Sequence, residues 1–240
     1  MANYCTRAFV LKTHPAGEAD QLVTLFSHEH GKFRAIAKGG RRPSSSFAGR
    51  LIPLSYNEWL LGKGRTWDIV SQVEIVESFQ PVRDSYECVT LALSFVSLLD
   101  STLTMGAASP DLFDLFLDSL RTLQHGVPSP AVRSRFALGF LQAEGVCPVL
   151  DRCVLCRRSV PPHVERVRFS FDQKGIICSQ CVSTVKDVLE LSLPSLSLLQ
   201  QWQSGGAEAP VPDPALLLSV DRLLAPLIMI HMGEQQPLYG

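Results

Sequence analysis

Four of the seven cysteines form two Cys-x-x-Cys pairs, Cys153 with Cys156 and Cys178 with Cys181. A Cys-x-x-Cys turn offers two thiolates to one metal ion, and two such turns complete the tetrahedral shell that structural zinc prefers. The spacer, residues 157–177, is slightly longer than the about 15 to 20 residues of the usual pattern. Residues 167–177 predict a β-hairpin that accommodates the extra length. The sequence therefore predicts one bound zinc ion.

A complete set of thiolate ligands leaves no coordination position for water, so the predicted metal is structural and not catalytic. Two alternatives stay open at this level: two redox-active cysteine pairs, or buried free thiols. Cys147 and His163 lie nearby but belong to neither pair, so we rank them below the four paired cysteines as ligands. The odd number of cysteines argues against a disulfide framework.

A second group of candidate residues is basic and lies between positions 32 and 65, where the only acid is Glu58. These basic residues are Lys32, Arg34, Lys38, Arg41, Arg42, Arg50, Lys63 and Arg65. The whole chain has a formal net charge of -1, so this local excess indicates contact with a polyanion such as nucleic acid. The same region offers aromatic side chains for stacking on bases: Phe33, Phe47, Tyr56, Trp59 and Trp67. The alternative is an ordinary solvated surface.

Sequence motifs of common enzymes are absent. The chain has no phosphate-binding loop of the Gly-x-x-x-x-Gly-Lys-Ser/Thr type and no Gly-x-Ser-x-Gly nucleophile motif. The segment His28-Glu29-His30 cannot place both histidines on one helical face, as a His-Glu-x-x-His zinc site requires. We therefore expect a protein that is not an enzyme.

The composition is that of a folded protein. Of 240 residues, 46% are hydrophobic and 19% are charged, which excludes a wholly disordered chain. The N-terminal residues lack the apolar core of a signal peptide. No uninterrupted apolar run reaches the about 18 residues of a membrane-spanning helix. We expect a cytoplasmic protein without a membrane partner.

The elements that position these residues divide the chain in three. Residues 1–80 predict five strands, at 4–12, 21–27, 32–38, 51–61 and 66–79, which suit a small barrel of the OB type, with an SH3-like barrel as the alternative. Residues 81–146 and 183–240 predict an all-α helical domain, with helices at 86–103, 111–123, 131–144, 186–199 and 213–231. Residues 147–182 form the predicted zinc-binding module, inserted before the last helices. The predicted fold is therefore multidomain, with α and β parts.

The order of these parts resembles one known family. Its most specific elements are Gly145-x-x-Pro148-x-Leu150-x-x-Cys153-x-x-Cys156 and Gly175-x-x-Cys178-x-x-Cys181. The segment Ala37-Lys38-Gly39-Gly40-Arg41-Arg42 resembles the barrel loop of the same family. Together they make the chain similar, from about Thr6 to the last helix, to the RecO family of bacterial DNA repair proteins.

The resemblance implies a recombination mediator. Such proteins bind single- and double-stranded DNA, anneal complementary strands and act with RecR to load RecA onto DNA coated by single-stranded-DNA-binding protein. It further implies a bacterial cytoplasmic, nucleoid-associated location. Annealing requires neutralised phosphates, so we predict Lys38, Arg41, Arg42 and Arg50 as DNA contacts, with Lys32 and Arg34 next.

Two other functions stay open at the level of sequence. One is a zinc-ribbon accessory protein of transcription or translation that binds a protein partner through the acidic helices. The other is a thiol-based redox enzyme that uses the two Cys-x-x-Cys pairs.

Overall fold

The computed structural model describes residues 2–125, 130–159, 165–205 and 213–232. The chain divides into two compact units, Met1–Pro128 and Ser129–Gly240, here called the first and second units. The predicted grouping of 81–146 with 183–240 in one helical domain stays a prediction, since the helices of that grouping are shared between the two units.

Five strands form a closed barrel in the first unit. They are β1 (Asn3–Ala16), β2 (Asp20–Ser27), β3 (Gly31–Ala37), β4 (Tyr56–Gly62) and β5 (Asp68–Glu77). The strand order is β1-β2-β3-β5-β4, and β1 closes the barrel by pairing with β4. All neighbours are antiparallel except β3 and β5, which pair in parallel through Ala35 with Asp68 and Ile36 with Ile69. This barrel is the predicted OB-fold.

Alternating side chains explain why these strands close. Val23 and Leu25 of β2 and Ala35 and Ala37 of β3 are fully buried in the barrel core, while the residues between them face outward. Trp59 is also fully buried, and its indole Nε1 donates a hydrogen bond to the carbonyl of Ala8 at 3.1 Å. Burial of this large side chain with its polar atom satisfied stabilises the barrel.

The predicted fourth strand began too early. Residues 51–55 form turns, and β4 begins only at Tyr56. Leu54 has a φ of 69°, in the left-handed region that a strand cannot contain. Its N–H nevertheless donates to the carbonyl of Val10 at 3.1 Å, which ties the turn to β1.

Three helices complete the first unit, namely α1 (Gln80–Asp84), α2 (Tyr86–Thr102) and α3 (Pro110–His125). Phe113 and Phe116 of α3 pack on Phe9 of β1, with ring centroids 5.3 and 4.8 Å apart. Phe113 also meets Phe26 of β2 at 5.4 Å. The outward face of β1 and β2 is therefore covered by helix at this end of the barrel.

The second unit combines helices with a small sheet. Its elements are α4 (Pro130–Ala143), β6 (Arg166–Ser170), β7 (Gly175–Ile177), a 3-10 turn (Val182–Thr184), β8 (Val188–Ser192), α5 (Leu193–Gln203) and α6 (Pro214–Met232). The sheet has the order β7-β6-β8, and β6 and β7 are the predicted hairpin. The described cysteine pairs flank this hairpin and precede the last two helices, as predicted.

The helix predicted at 186–199 was wrong in its first half. Val188–Ser192 pairs with β6 as a strand, and α5 begins only at Leu193. Ser192 caps this helix by accepting a hydrogen bond from the Ser195 N–H, and Pro194 occupies the first turn, where its missing N–H does no harm. The proline starts this helix and does not interrupt it.

Helix α6 is the central helix of the second unit. It has 19 residues, and an 18-residue window within it has a mean hydropathy of 1.7, so by length and composition it could cross a membrane. Counting uninterrupted apolar residues did not detect this. Seven of its residues are buried, among them Leu223, Leu224 and Asp221. The Asp221 carboxylate accepts hydrogen bonds from Arg133 and Ser134 of α4, which fixes α6 against that helix. In this structure α6 forms part of a protein core.

Candidate metal centre and nucleic-acid interface

The four paired cysteines converge on one point. Their Sγ atoms all lie within 4.8 Å of one another, and Cys156 and Cys178 approach to 3.6 Å. In the first turn the Arg157 N–H donates to the Cys153 carbonyl at 2.8 Å. In the second turn the N–H of Cys181 donates to the carbonyl of Cys178 at 3.1 Å. Local backbone turns thus aim each pair at the same position.

The electrostatics of the cluster favour the thiolate at Cys153 and Cys178 and the protonated thiol at Cys181. Burial raises the pKa of Cys153, but the N–H groups of Cys156, Cys178 and Leu155 outweigh it and lower the pKa to about 6. The pKa of Cys178 is likewise lowered, because N–H and S–H donors outweigh burial. The hydrogen bond with Cys178, followed by burial, raises the pKa of Cys181 to about 12. Protons are therefore shared among the thiols until a cation replaces them.

This donor set fits a metal ion. Four sulfur ligands in one cluster, supplied by two turns, match the tetrahedral shell of a structural site. Cys147 is not part of it: its sulfur accepts a hydrogen bond from Gln203 Nε2 at 2.7 Å. His163 lies outside the described residues. The prediction that the four paired cysteines can hold one metal ion is thus supported by their geometry.

Lys32 is placed differently from the other predicted DNA contacts. Its Nζ donates to the carbonyl and to Oδ1 of Asp100 on α2, at 2.5 and 3.3 Å, and its side chain is 12% exposed. Lys12 of β1 reaches Oδ2 of the same carboxylate at 2.6 Å. Asp100 therefore joins β1 and β3 to α2, and the Lys32 ammonium is paired with this carboxylate instead of lying free in solvent.

The remaining predicted contacts lie nearer the solvent. Arg34 of β3, Lys38, Arg41 and Arg42 are exposed, and Arg50 is half-buried. Arg41 Nη1 donates to the carbonyls of Gly17 and Glu18 at 3.2 Å each, so the loop after β3 is fastened to the turn between β1 and β2. Arg50 donates to the Ser46 carbonyl within its own loop.

The loop between β4 and β5, residues 63–67, belongs to the basic region of the sequence, but its residues were not among the predicted DNA contacts. Lys63, Arg65 and Trp67 are all exposed there, Trp67 by 39%. Because Ala35 pairs in parallel with Asp68, the preceding residues Arg34 and Trp67 are neighbours in register. Trp67 was considered only as a stacking residue in the sequence, and Trp59 of β4, considered for the same role, lies wholly in the core.

Asp68 anchors that loop. Its carboxylate accepts hydrogen bonds from the Tyr4 hydroxyl, from the Gly64 N–H at 3.2 Å and from Lys63 Nζ at 3.3 Å. Burial raises the pKa of Asp68, but these three donors outweigh it and hold the pKa below its usual range. Burial and the bond to Asp68 raise the pKa of Tyr4. The hydrogen bonds of Asp68 to Lys63 and Gly64 therefore close the loop that carries Arg65 and Trp67 at the barrel end.

The end of the barrel brings these groups together. The turn between β1 and β2, the end of β3 and the start of β5 all lie there. We call the resulting surface the barrel-end surface; it consists of Arg34, Lys38, Arg41, Arg42, Arg65 and Trp67. OB-folds bind oligonucleotides with the face of strands 2 and 3, and with the loops between strands 1 and 2 and between strands 4 and 5. A basic surface with one exposed indole has the composition of a single-strand site.

Comparisons with known proteins agree with this architecture. Residues 1–79 match the family model described as Recombination protein O N terminal, and residues 83–236 match Recombination protein O C terminal. The DNA repair protein RecO of Pelotomaculum thermopropionicum is 34% identical over 200 residues, which cover 83% of this chain and 77% of that protein. The protein of that name from Cutibacterium acnes is 36% identical over 75% of each chain. The one from Alkaliphilus metalliredigens is 29% identical over 95% of this chain and 94% of its own.

Proposed function

The chain belongs to the RecO family of DNA repair proteins, and from this we propose that it binds single- and double-stranded DNA and anneals complementary strands. A role in DNA repair or recombination follows from the family itself. Family membership favours this role over that of an accessory protein of transcription or translation. We further propose that the protein is not an enzyme, so that it makes and breaks no covalent bond in this role.

The observation that carries the proposal is the barrel-end surface. Two complementary strands repel each other through their phosphates, and cationic side chains lower that repulsion by displacing condensed counterions. Arg34, Lys38 and Arg42 are exposed there, and Glu18 is an exposed acid in the adjoining turn between β1 and β2, so the surface has an excess of positive charge. The exposed indole of Trp67 offers a stacking face for an unpaired base. Cationic contacts to the phosphates and stacking of a base on Trp67 together hold a DNA strand extended, with the base-pairing edges free.

We propose the partners that are typical of the family. RecR would act with the protein, single-stranded-DNA-binding protein would coat the substrate, and RecA would be loaded as the outcome. The surroundings proposed for this activity are the bacterial cytoplasm and nucleoid.

We propose zinc as the metal held by Cys153, Cys156, Cys178 and Cys181. Zinc would supply rigidity here, because four thiolates complete its coordination and leave no place for a reacting water. Its binding would displace the shared protons and join the two cysteine turns across the β6–β7 hairpin. A redox role for the same thiols is disfavoured by this proposal, since metal-bound thiolates are held away from exchange.

The test of DNA binding is a paired charge reversal, Arg41→Glu with Arg42→Glu. The plot of log affinity against log salt has a negative slope, and each lost phosphate contact should make it less steep by about 0.7 for single strands. The loss of two contacts should therefore reduce its magnitude by about 1.4. The measurement is fluorescence anisotropy of a labelled oligonucleotide at several salt concentrations.

The matched control is Arg7→Glu. Arg7 lies on β1 in an exposed pair with Glu58 at 3.2 Å, away from the barrel-end surface, and such surface pairs contribute little to stability. An unchanged salt slope in the paired reversal would show that the loop after β3 is not the DNA site.

A further inference from the structure

A cavity of about 200 Å³ lies beside the metal cluster in the second unit. Cys153 and Cys178 form part of its wall, so it borders the metal site without belonging to the ligand shell. Its other lining residues are Arg158, Ser159, Arg166, Val167, Arg168, Ile176, Ile177, Ser179 and Gln180. Among these described lining residues every side chain with a permanent charge is an arginine.

Each of the three arginines has a polar partner. Arg166 and Arg168 alternate along β6, so both lie on the same side of the strand. Glu190 on the neighbouring strand β8 receives both, with its two carboxylate oxygens 3.2 Å from Arg166 and 3.5 Å from Arg168. Arg158 donates to the Gln180 side-chain oxygen. The Arg166 and Arg168 side chains are 72% and 41% exposed, so their pairs with Glu190 are weak surface pairs that leave both guanidinium groups accessible to a phosphate, unlike the largely buried Lys32.

The apolar part of the lining is also well defined. Val167, Ile176 and Ile177 are each at most 6% exposed. The cavity is smaller than the about 300 to 1,000 Å³ of sites for drug-sized ligands, so it suits one small planar group. A planar apolar group that carries an adjacent anion is the chemistry of a nucleotide.

We propose that this cavity receives one unstacked base of single-stranded DNA, with the adjoining phosphates on Arg158, Arg166 and Arg168. Guanidinium planes stack on bases and bind phosphate oxygens bidentately, so arginine serves both parts of the ligand. Single strands are favoured over duplex because an unpaired base enters without the cost of breaking a pair. This inference rests on the proposed DNA-binding function and adds a site in the second unit.

A backbone observation at the first cysteine turn points the same way. Arg157, directly after Cys156, has a φ of 61°, where glycine is the residue without steric cost. With Arg152 it lines a second cavity of about 310 Å³ on Val149, Cys153 and Val154. Arg152 and Arg157 therefore add two basic side chains beside the first cysteine turn.

The direct test maps the contact on the unmodified protein. Oligothymidylate carrying one 5-iododeoxyuridine is cross-linked to the full chain by light, and the modified peptides are identified by mass spectrometry. We expect cross-links within residues 158–180. Cross-links confined to the barrel-end surface would overturn the inference while leaving the proposed function intact. Absence of any oligonucleotide binding would overturn both.

Variants supply the quantitative arm. Arg158→Gln with Arg168→Gln should weaken single-strand affinity by about tenfold for each lost charged contact, and less for duplex of the same length. The control is Lys186→Gln, which removes one exposed positive charge from the same unit outside both cavities. Zinc content is measured on each variant. Full affinity in the double variant would overturn the inference. A loss of affinity that occurs only together with a loss of zinc would overturn it too, because the arginines would then support the cysteine cluster and not contact DNA.

Discussion

The pairing of Lys32 with Asp100 yields a prediction that separates stability from DNA binding. Lys32→Gln removes a buried ammonium that lies 2.5 and 3.3 Å from two oxygens of Asp100. Hydrogen bonds to charged groups contribute about 1.5 to 3 kcal/mol each, and Lys12 still balances the carboxylate, so we expect a loss of about 2 to 3 kcal/mol in unfolding free energy. The salt slope of DNA binding should not change, because the charge of Lys32 is already paired.

Arg34→Gln on the same strand is the matched variant. Arg34 is exposed, so its loss should leave the unfolding free energy within about 0.5 kcal/mol and lower the single-strand salt slope by about 0.7. Urea unfolding is followed by tryptophan fluorescence with Trp202→Phe as background, so that only Trp59 and Trp67 of the first unit report. A Lys32 variant that lowers the salt slope as Arg34→Gln does, at unchanged stability, would refute the reasoning.

Three further predictions concern the loop, the metal and pH. In Gly64→Ala the new Cβ would lie 1.8 Å from the Trp67 carbonyl oxygen, so the loop must shift. The affinity for single-stranded DNA should then fall by up to the ~1–3 kcal/mol that one stacked base contributes. The control Gly62→Ala, whose Cβ would lie no closer than 3.2 Å to its nearest neighbour, Asn3 Oδ1, should bind nearly normally in the same anisotropy assay. Cys153→Ser should reduce zinc, measured by colorimetric release, from one ion per chain to well below one, whereas redox-active pairs would hold none in either protein. The pKa of Asp100 is lowered, because its bonds to Lys12 and Lys32 outweigh the rise from burial. Such a carboxylate stabilises the fold above its unfolded pKa of about 3.9 and loses that effect as pH falls through the folded value. The stability difference between wild type and Asp100→Asn should therefore be present at pH 7 and shrink below about pH 4, and a difference constant with pH would contradict the ion pairs.

The sequence predictions that the structure confirms were made from short local patterns. Each Cys-x-x-Cys turn is a short segment whose geometry depends on few neighbours, so the cysteine spacing alone located the cluster. The alternation of Phe33, Ala35 and Ala37 likewise identified β3, because a barrel strand must present every second residue to the core.

Local patterns in the sequence did not reveal interactions with partners that are distant along the chain. Lys32 lies 68 residues from Asp100, so its outward position on β3 gave no sign that α2 would cover it. The segment Val188–Ser192 is too short for its periodicity to separate helix from strand, and only pairing with β6 decides. Trp59 and Trp67 are the same residue type, and only the folded barrel shows that Trp59 is buried in the core whereas Trp67 is exposed.

The proposed annealing of DNA through the barrel-end surface can be tested directly. The most direct measurement is the rate of duplex formation from two complementary labelled oligonucleotides, with and without the protein, at several salt concentrations and without ATP. We expect the protein to accelerate duplex formation, and this acceleration should decline as the salt concentration rises. It should be largely lost in Arg41→Glu with Arg42→Glu and kept in Arg7→Glu. Folded, zinc-loaded protein that gives no acceleration would contradict it.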